Sequence, residues 1–117
     1  MTTTLNKRSF EFAQDQVKNG KVVLDDRDAW SEHQPSAQQE NEFIEARGWD
    51  EFANWHLGID DEASEHTKAR YKFPYGDFAK VHRCGVLAAE TRAARNHYRD
   101  IADATVRLRD MIDEQRR

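Results

Sequence analysis

Residues 71–94 read YKFPYGDFAKVHRCGVLAAETRAA, and the fold follows from how this run divides. Pro74 presets one turn position, and Gly76 can take a positive φ that Tyr or Phe resists. Asp77 then reads as an N-cap. Phe78, Val81, Gly85, Ala88, Ala89 and Arg92 recur at helical spacing. That spacing predicts a helix over 78–96, beginning at Asp77 or only near Arg83. Gly85, Ala88, Ala89 and Ala93 are small enough for a second helix to approach closely. Downstream, Asp100 and Asp103 form a start signal, and Ile101, Thr105, Leu108, Met111 and Ile112 line one face. A helix over 101–114, packed antiparallel on the first as a hairpin, follows.

Upstream, Leu5, Phe10, Ala13 and Val17 give a helix over 5–18 that stops at Asn19-Gly20. Lys21 to Leu24 is a β-branched run with no evident ladder partner, so it reads as extended coil. Ser36 with Gln39 is a capping box and predicts a helix over 37–46 with Phe43 and Ile44 inward. Asp50 caps a short helix over 51–57 that Gly58 ends, and Asp60-Asp61 starts another over 61–70. The expectation is a single all-α domain over 1–117, a bundle of four to six helices. Its N-terminal half is irregular and residues 1–4 are frayed.

The composition suits one small domain. Aromatic residues reach 10% beside 34% charged residues, and disordered chains are poor in aromatics. Cys84 is the only cysteine, which excludes an internal disulfide and suits a reducing compartment. No apolar run approaches the roughly 20 residues of a membrane span, and Met1 to Leu5 lacks the pattern of a signal peptide. A cytoplasmic protein with no membrane partner is expected. The net charge of −4 conceals a division: residues 25–65 hold thirteen acids against Arg27 and Arg47, while residues 66–99 hold eight bases against Asp77 and Glu90. Either the halves neutralise each other in the fold or the basic half meets an anionic partner.

Few residues carry a chemical signal. His56 and His66 flank Asp60 and Asp61, but Gly58 interrupts any shared helix. His82 and Cys84, if helical, point about 200° apart and do not share an ion. No metal and no cofactor is therefore expected. Cys84 with His82 or His97 is the only thiol–imidazole option, in an Arg-rich stretch that favours a thiolate. No oxyanion-hole loop accompanies it. The acids Asp25, Asp26, Asp28 and Glu32, and separately Asp60, Asp61 and Glu62, lack the glycine loop of a cation site. Trp49 and Trp55 suit the core. Trp30, in the least regular segment, suits an interface.

The run KFPYGDF, then KVHR, G-V-x-A-A and R-A-A, with WSEHQPSAQQENEFIE and WHLGID upstream, resembles a group of small bacterial helical proteins over about residues 8–113. The resemblance implies a mainly helical bacterial protein and brings no activity, cofactor or site residue.

The functional expectation is a non-catalytic interaction module. Lys72, Tyr75, Lys80, His82 and Arg83 around the Pro-Gly turn, together with Trp30, form its contact residues. An acidic protein partner or self-association is expected there. The alternatives are a nucleic-acid-binding accessory protein using the same bases and aromatics, and a small enzyme around His82, Cys84 and the acidic clusters.

Overall fold

The computed structural model describes residues 3–115, and it is not all-α. Six helices and two small sheets alternate in a mixed α/β arrangement. Strand β1 is Thr3–Leu5, helix α1 Lys7–Lys18, strand β2 Val22–Val23, and helix α2 Trp30–His33. Helices α3, Ala37–Arg47, and α4, Trp49–Ala53, precede strands β3, His56–Asp60, and β4, Tyr71–Pro74. Strand β5, Val81–His82, leads directly into helix α5, Arg83–Arg95, and helix α6, Arg99–Gln115, completes the fold.

The C-terminal hairpin forms as expected, with α5 and α6 sharing the most extensive contact in the fold. Every residue assigned to the apolar face of the last helix is buried except Met111, which is half-buried. Helix α1 packs across α6 and β3 through Ala13 and Val17. The capping box is present: the Gln39 amide N–H donates to the Ser36 hydroxyl, and the Ser36 amide N–H to the Gln39 side chain.

The corrections fall where the chain pairs with itself over long distances. The helix expected over 51–57 ends at Ala53, and residues 56–60 become the central strand of a three-stranded antiparallel sheet ordered β1–β3–β4. The segment expected as a helix over 61–70 is a series of turns closing on a single 3-10 turn at Lys68–Arg70. Lys21 to Leu24 does have a ladder partner. Val22 and Val23 pair in parallel with Val81 and His82, and the Val81 amide donates to the Lys21 carbonyl. The helix over 78–96 accordingly starts only at Arg83, because Val81 and His82 are committed to this ladder.

The turn before it differs in detail. Phe73 and Phe78, not Gly76, take positive φ, at 62° and 71°. Gly76 is required for another reason: a Cβ there would lie 2.5 Å from the Trp55 ring and 2.7 Å from the Lys80 carbonyl oxygen. Asp77 caps this turn and no helix, its Oδ1 accepting from the amides of Ala79 and Lys80.

The core runs from α1 through β3 and Tyr75 to the hairpin, and its largest members include Leu57, Tyr75, Val86, Ile101 and Leu108. The Tyr75 hydroxyl donates to the Asn54 carbonyl at 2.6 Å, which satisfies the one polar atom of a fully buried ring. No helix among the described residues is long and apolar enough to cross a membrane.

Candidate functional site

The β2–β5 ladder fixes the most unusual group of side chains in the molecule. Its register sets Val23 opposite His82, so Asp25, two residues on, falls level with the first turn of α5. Helix α5 has no side-chain cap of its own at His82. Asp25 supplies one from across the ladder, its Oδ1 accepting the Cys84 amide N–H at 2.8 Å. A carboxylate there also meets the positive end of the helix dipole.

The other oxygen of Asp25 lies 2.7 Å from Nδ1 of His82, and Asp77 Oδ2 lies 2.7 Å from Nε2 of the same ring. The His82 ring is 5% exposed, while Asp77 reaches the surface at 35%. Two carboxylate acceptors require two N–H donors, and an imidazole offers two only as the cation. The shifts agree in direction. Burial opposes the charge on His82, but the hydrogen bonds to Asp77 and Asp25 outweigh it and raise its pKa. Burial likewise opposes ionisation of Asp25, yet the Cys84 amide and the His82 ring together hold its pKa below the usual value. Asp77 behaves in the same way through His82 and the amides of Lys80 and Ala79.

Three further residues complete the cluster. His33, at the end of α2, brings Nε2 to 3.9 Å from Asp25 Oδ2, and its ring lies 5.2 Å from that of His82, tilted by 33°. The Trp30 ring also packs near the His82 ring, 6.1 Å away between centroids. The Cys84 thiol is buried, and burial together with the facing Asp25 pushes its pKa up to about 12. A thiol held protonated in this way is a poor nucleophile, and both nitrogens of His82 are engaged by carboxylates. The thiolate expected for Cys84 is opposed by burial and by the facing Asp25 carboxylate.

The residues expected at a partner surface are placed as follows. Lys72 and Lys80 are exposed. Arg83 is turned inward on α6, with Nε 2.9 Å from Asp113 Oδ1. Tyr75, His82 and Trp30 are buried and present almost no surface to a partner. The 72–83 turn is thus largely consumed in closing the fold. His56, the other buried histidine, sits in β3 with Nδ1 donating to the Phe52 carbonyl, and burial lowers its pKa to about 4. His66 is exposed and stacks on Trp49, Asp60 ends β3, and Asp61 opens the surface turn that follows.

A second feature was not legible in the sequence. Arg47, Arg70, Arg83 and Arg109 pair with carboxylates, whereas the exposed Arg27, Arg92 and Arg95 have no ion pair among the described residues. All three line one groove of about 310 Å³ between the 27–31 segment and α5. Trp30 and Leu87 contribute apolar surface to it, and Asp28 is the single acid on its edge. The i, i+3 spacing of Arg92 and Arg95 was the available signal. Arg27, 65 positions away, was not connected to them by any pattern.

No protein-family model, no curated protein and no solved structure matches this chain.

Proposed function

We propose that the chain is a small, bacterial, cytoplasmic, non-catalytic binding module that holds an acidic segment of a partner protein in the arginine groove. The observation that carries this reading is the set of three uncompensated guanidinium groups, Arg27, Arg92 and Arg95, around one concave surface. Guanidinium groups bind carboxylates through paired N–H donors, and a groove with Trp30 and Leu87 in its lining adds apolar contact between the charges. Lys72 extends the basic surface along the neighbouring hollow, which Arg92 also lines. The contact surface therefore moves from the 72–83 turn to the outer face of α5.

A protein segment suits the groove better than a nucleic acid. No Phe, Tyr or Trp side chain among the described residues is exposed, and Trp30, the one aromatic ring lining the groove, is buried, which leaves bases little to stack on there. A net charge of −4 also repels a long polyanion at range. An enzyme reading finds no support in a protonated thiol and an imidazole with both nitrogens bonded. The buried lone cysteine and the KFPYGDF-to-RAA run support the cytoplasmic and bacterial parts of the reading.

The test is fluorescence anisotropy of a labelled Glu/Asp-rich peptide against the full chain at low and moderate salt. Binding is expected, and Arg92→Glu with Arg95→Glu weakens it at least about tenfold. Both side chains are exposed and unpaired, so the double variant keeps its fold. Peptide affinity unchanged by the double variant overturns the reading. So does tighter, steeply salt-dependent binding of a single-stranded oligonucleotide, which assigns the groove to nucleic acid.

A further inference from the structure

The cluster beneath the groove has a chemistry that the groove does not use. We propose that Asp25, His82 and Cys84 form a binding site for a zinc-type divalent cation, with His33 closing the fourth position. The side-chain donor atoms of Asp25, His82 and Cys84 lie within 4.8 Å of one another, the only such group of three among the described residues. Helical geometry would separate positions 82 and 84, but His82 lies in β5 with extended backbone, φ −103° and ψ 126°, and α5 begins only after it. The strand-to-helix junction therefore brings both side chains to one side, and the parallel β2–β5 ladder delivers Asp25 between them.

The donor set suits this class of metal. One carboxylate oxygen, one or two imidazole nitrogens and one thiolate are the ligands that tetrahedral zinc takes, at about 2.0–2.3 Å each. Adjacent ligands in such a tetrahedron stand about 3.3–3.6 Å apart, which follows from those bond lengths. Asp25 Oδ2 and His82 Nδ1, now 2.7 Å apart, need only open by roughly half an ångström, a rotation within side-chain freedom. Asp25 Oδ1 remains on the Cys84 amide throughout, so one carboxylate oxygen is anchored and the other is free to bind. His33 is 41% exposed at its side chain, with Nε2 already 3.9 Å from Asp25 Oδ2, and can turn inward from the rim.

Asp77 supplies what a ligating histidine ordinarily has. Its Oδ2 accepts from Nε2–H of His82 at 2.7 Å, which leaves Nδ1 as the metal-facing nitrogen and fixes the ring plane. Carboxylate–histidine–metal relays of this kind raise ligand basicity and orient the imidazole.

The exchange balances. Without metal, His82 is a cation, Asp25 and Asp77 are anions and the Cys84 thiol is neutral, so the cluster carries −1. On binding a 2+ cation, His82 gives up its Nδ1 proton and Cys84 its Sγ proton, both to solvent. The cation, three anions and a neutral imidazole again sum to −1. Two protons leave as two positive charges arrive, so a site already built around a buried cation takes the metal with no change in net charge. Affinity should accordingly rise with pH. The bound metal would also tie the 25–33 segment, which carries Arg27 and Trp30, to α5. The inference stands independently of the peptide reading, since either can fail alone.

The experiment uses the full chain without an affinity tag, stripped with chelator and titrated with Zn²⁺ against a chromophoric chelator, then with Co²⁺. One zinc per chain is expected, with release of two protons. Co²⁺ should give the intense ligand-field bands of a tetrahedral site and a thiolate-to-cobalt charge-transfer band. Cys84→Ser abolishes that charge-transfer band. His33→Ala, at an exposed side chain, keeps the fold and weakens zinc at least about tenfold, and Asp77→Asn weakens it about 10–100-fold. Absence of stoichiometric zinc binding overturns the proposal. So does a cobalt complex of the unaltered chain without thiolate charge transfer, or zinc affinity that His33→Ala leaves unchanged. The last two readouts stand even if Cys84→Ser fails to fold.

Discussion

Asp25→Ala lowers the stability of the metal-free chain by about 3 kcal/mol, read from chemical denaturation. The Asp25 side chain is 9% exposed and makes two separate connections, one to the His82 ring and one to the Cys84 amide. Breaking a buried pair by removing one partner costs about 3–5 kcal/mol, because the surviving charge is left in a poor solvent. The lower end applies here because Asp77 still faces the ring from the other side. Loss of the helix cap adds to the effect, since the first turn of α5 has no other side chain at its exposed amides. The pH dependence has two limits. His82 has a raised folded pKa, so its contribution is full below its unfolded value of 6.5 and is lost as pH rises through the folded value. Asp25 and Asp77 have lowered folded pKa values, so theirs is full above 3.8 and is lost as pH falls through the folded ones. The difference between wild type and Asp25→Ala is therefore largest from about pH 4 to 6.5 and shrinks on both sides. A loss under about 1 kcal/mol across that window would show that Asp25 is a surface acid in solution.

Gly85→Ala destabilises the chain by about 2 kcal/mol, against the intrinsic preference of helices for alanine, which favours the substitution by about 1 kcal/mol. A Cβ at this position would stand 2.7 Å from the Tyr75 carbonyl oxygen and 2.9 Å from the Trp30 ring. Neither neighbour moves freely. The Tyr75 carbonyl accepts the His82 amide at 3.0 Å, and Trp30 is buried against the His82 ring. Relief must come from shifting α5 away from the turn, which also lengthens the contacts of His82 with Asp25 and Asp77. Thermal unfolding of Gly85→Ala beside Ala88→Gly checks this. Ala88 lies on the partly exposed side of α5, so its replacement reports helix propensity. If Gly85→Ala proves as stable as wild type, α5 is not seated against the turn as described.

The parts of the fold legible in the sequence are those set by local periodicity and capping. The α5–α6 hairpin, α1 and the Ser36–Gln39 box all rest on residues within a few positions of one another. What was missed rests on pairing across long separations. Val22-Val23 is two residues of strand, too short to carry an alternating pattern, and its partner lies 59 positions further on. His56 to Gly58 are buried in succession on both faces of a central strand, and a short buried run of that kind does not distinguish strand from helix by periodicity. Misplacing β5 inside a helix had a direct consequence for the site. It set His82 and Cys84 on opposite sides and left Asp25 among the solvated acids. The charge division was visible, and its neutralising reading holds for part of the basic half, since Lys68 pairs with Glu40, Arg70 with Asp61 and His82 with Asp25. Arg83 is spent on Asp113, whereas Arg92 and Arg95 have no ion pair among the described residues.

Central to the cluster is His82, a buried imidazolium clasped by two carboxylates. The direct measurement is the nitrogen-15 spectrum of the histidine side chains in chelator-treated protein at pH 6.5, where an ordinary histidine is half protonated. Protons on both Nδ1 and Nε2 of His82, exchanging slowly with water and lost in Asp25→Asn, are the predicted result. A ring with one protonated nitrogen, or one in fast exchange between neutral and charged forms, contradicts it.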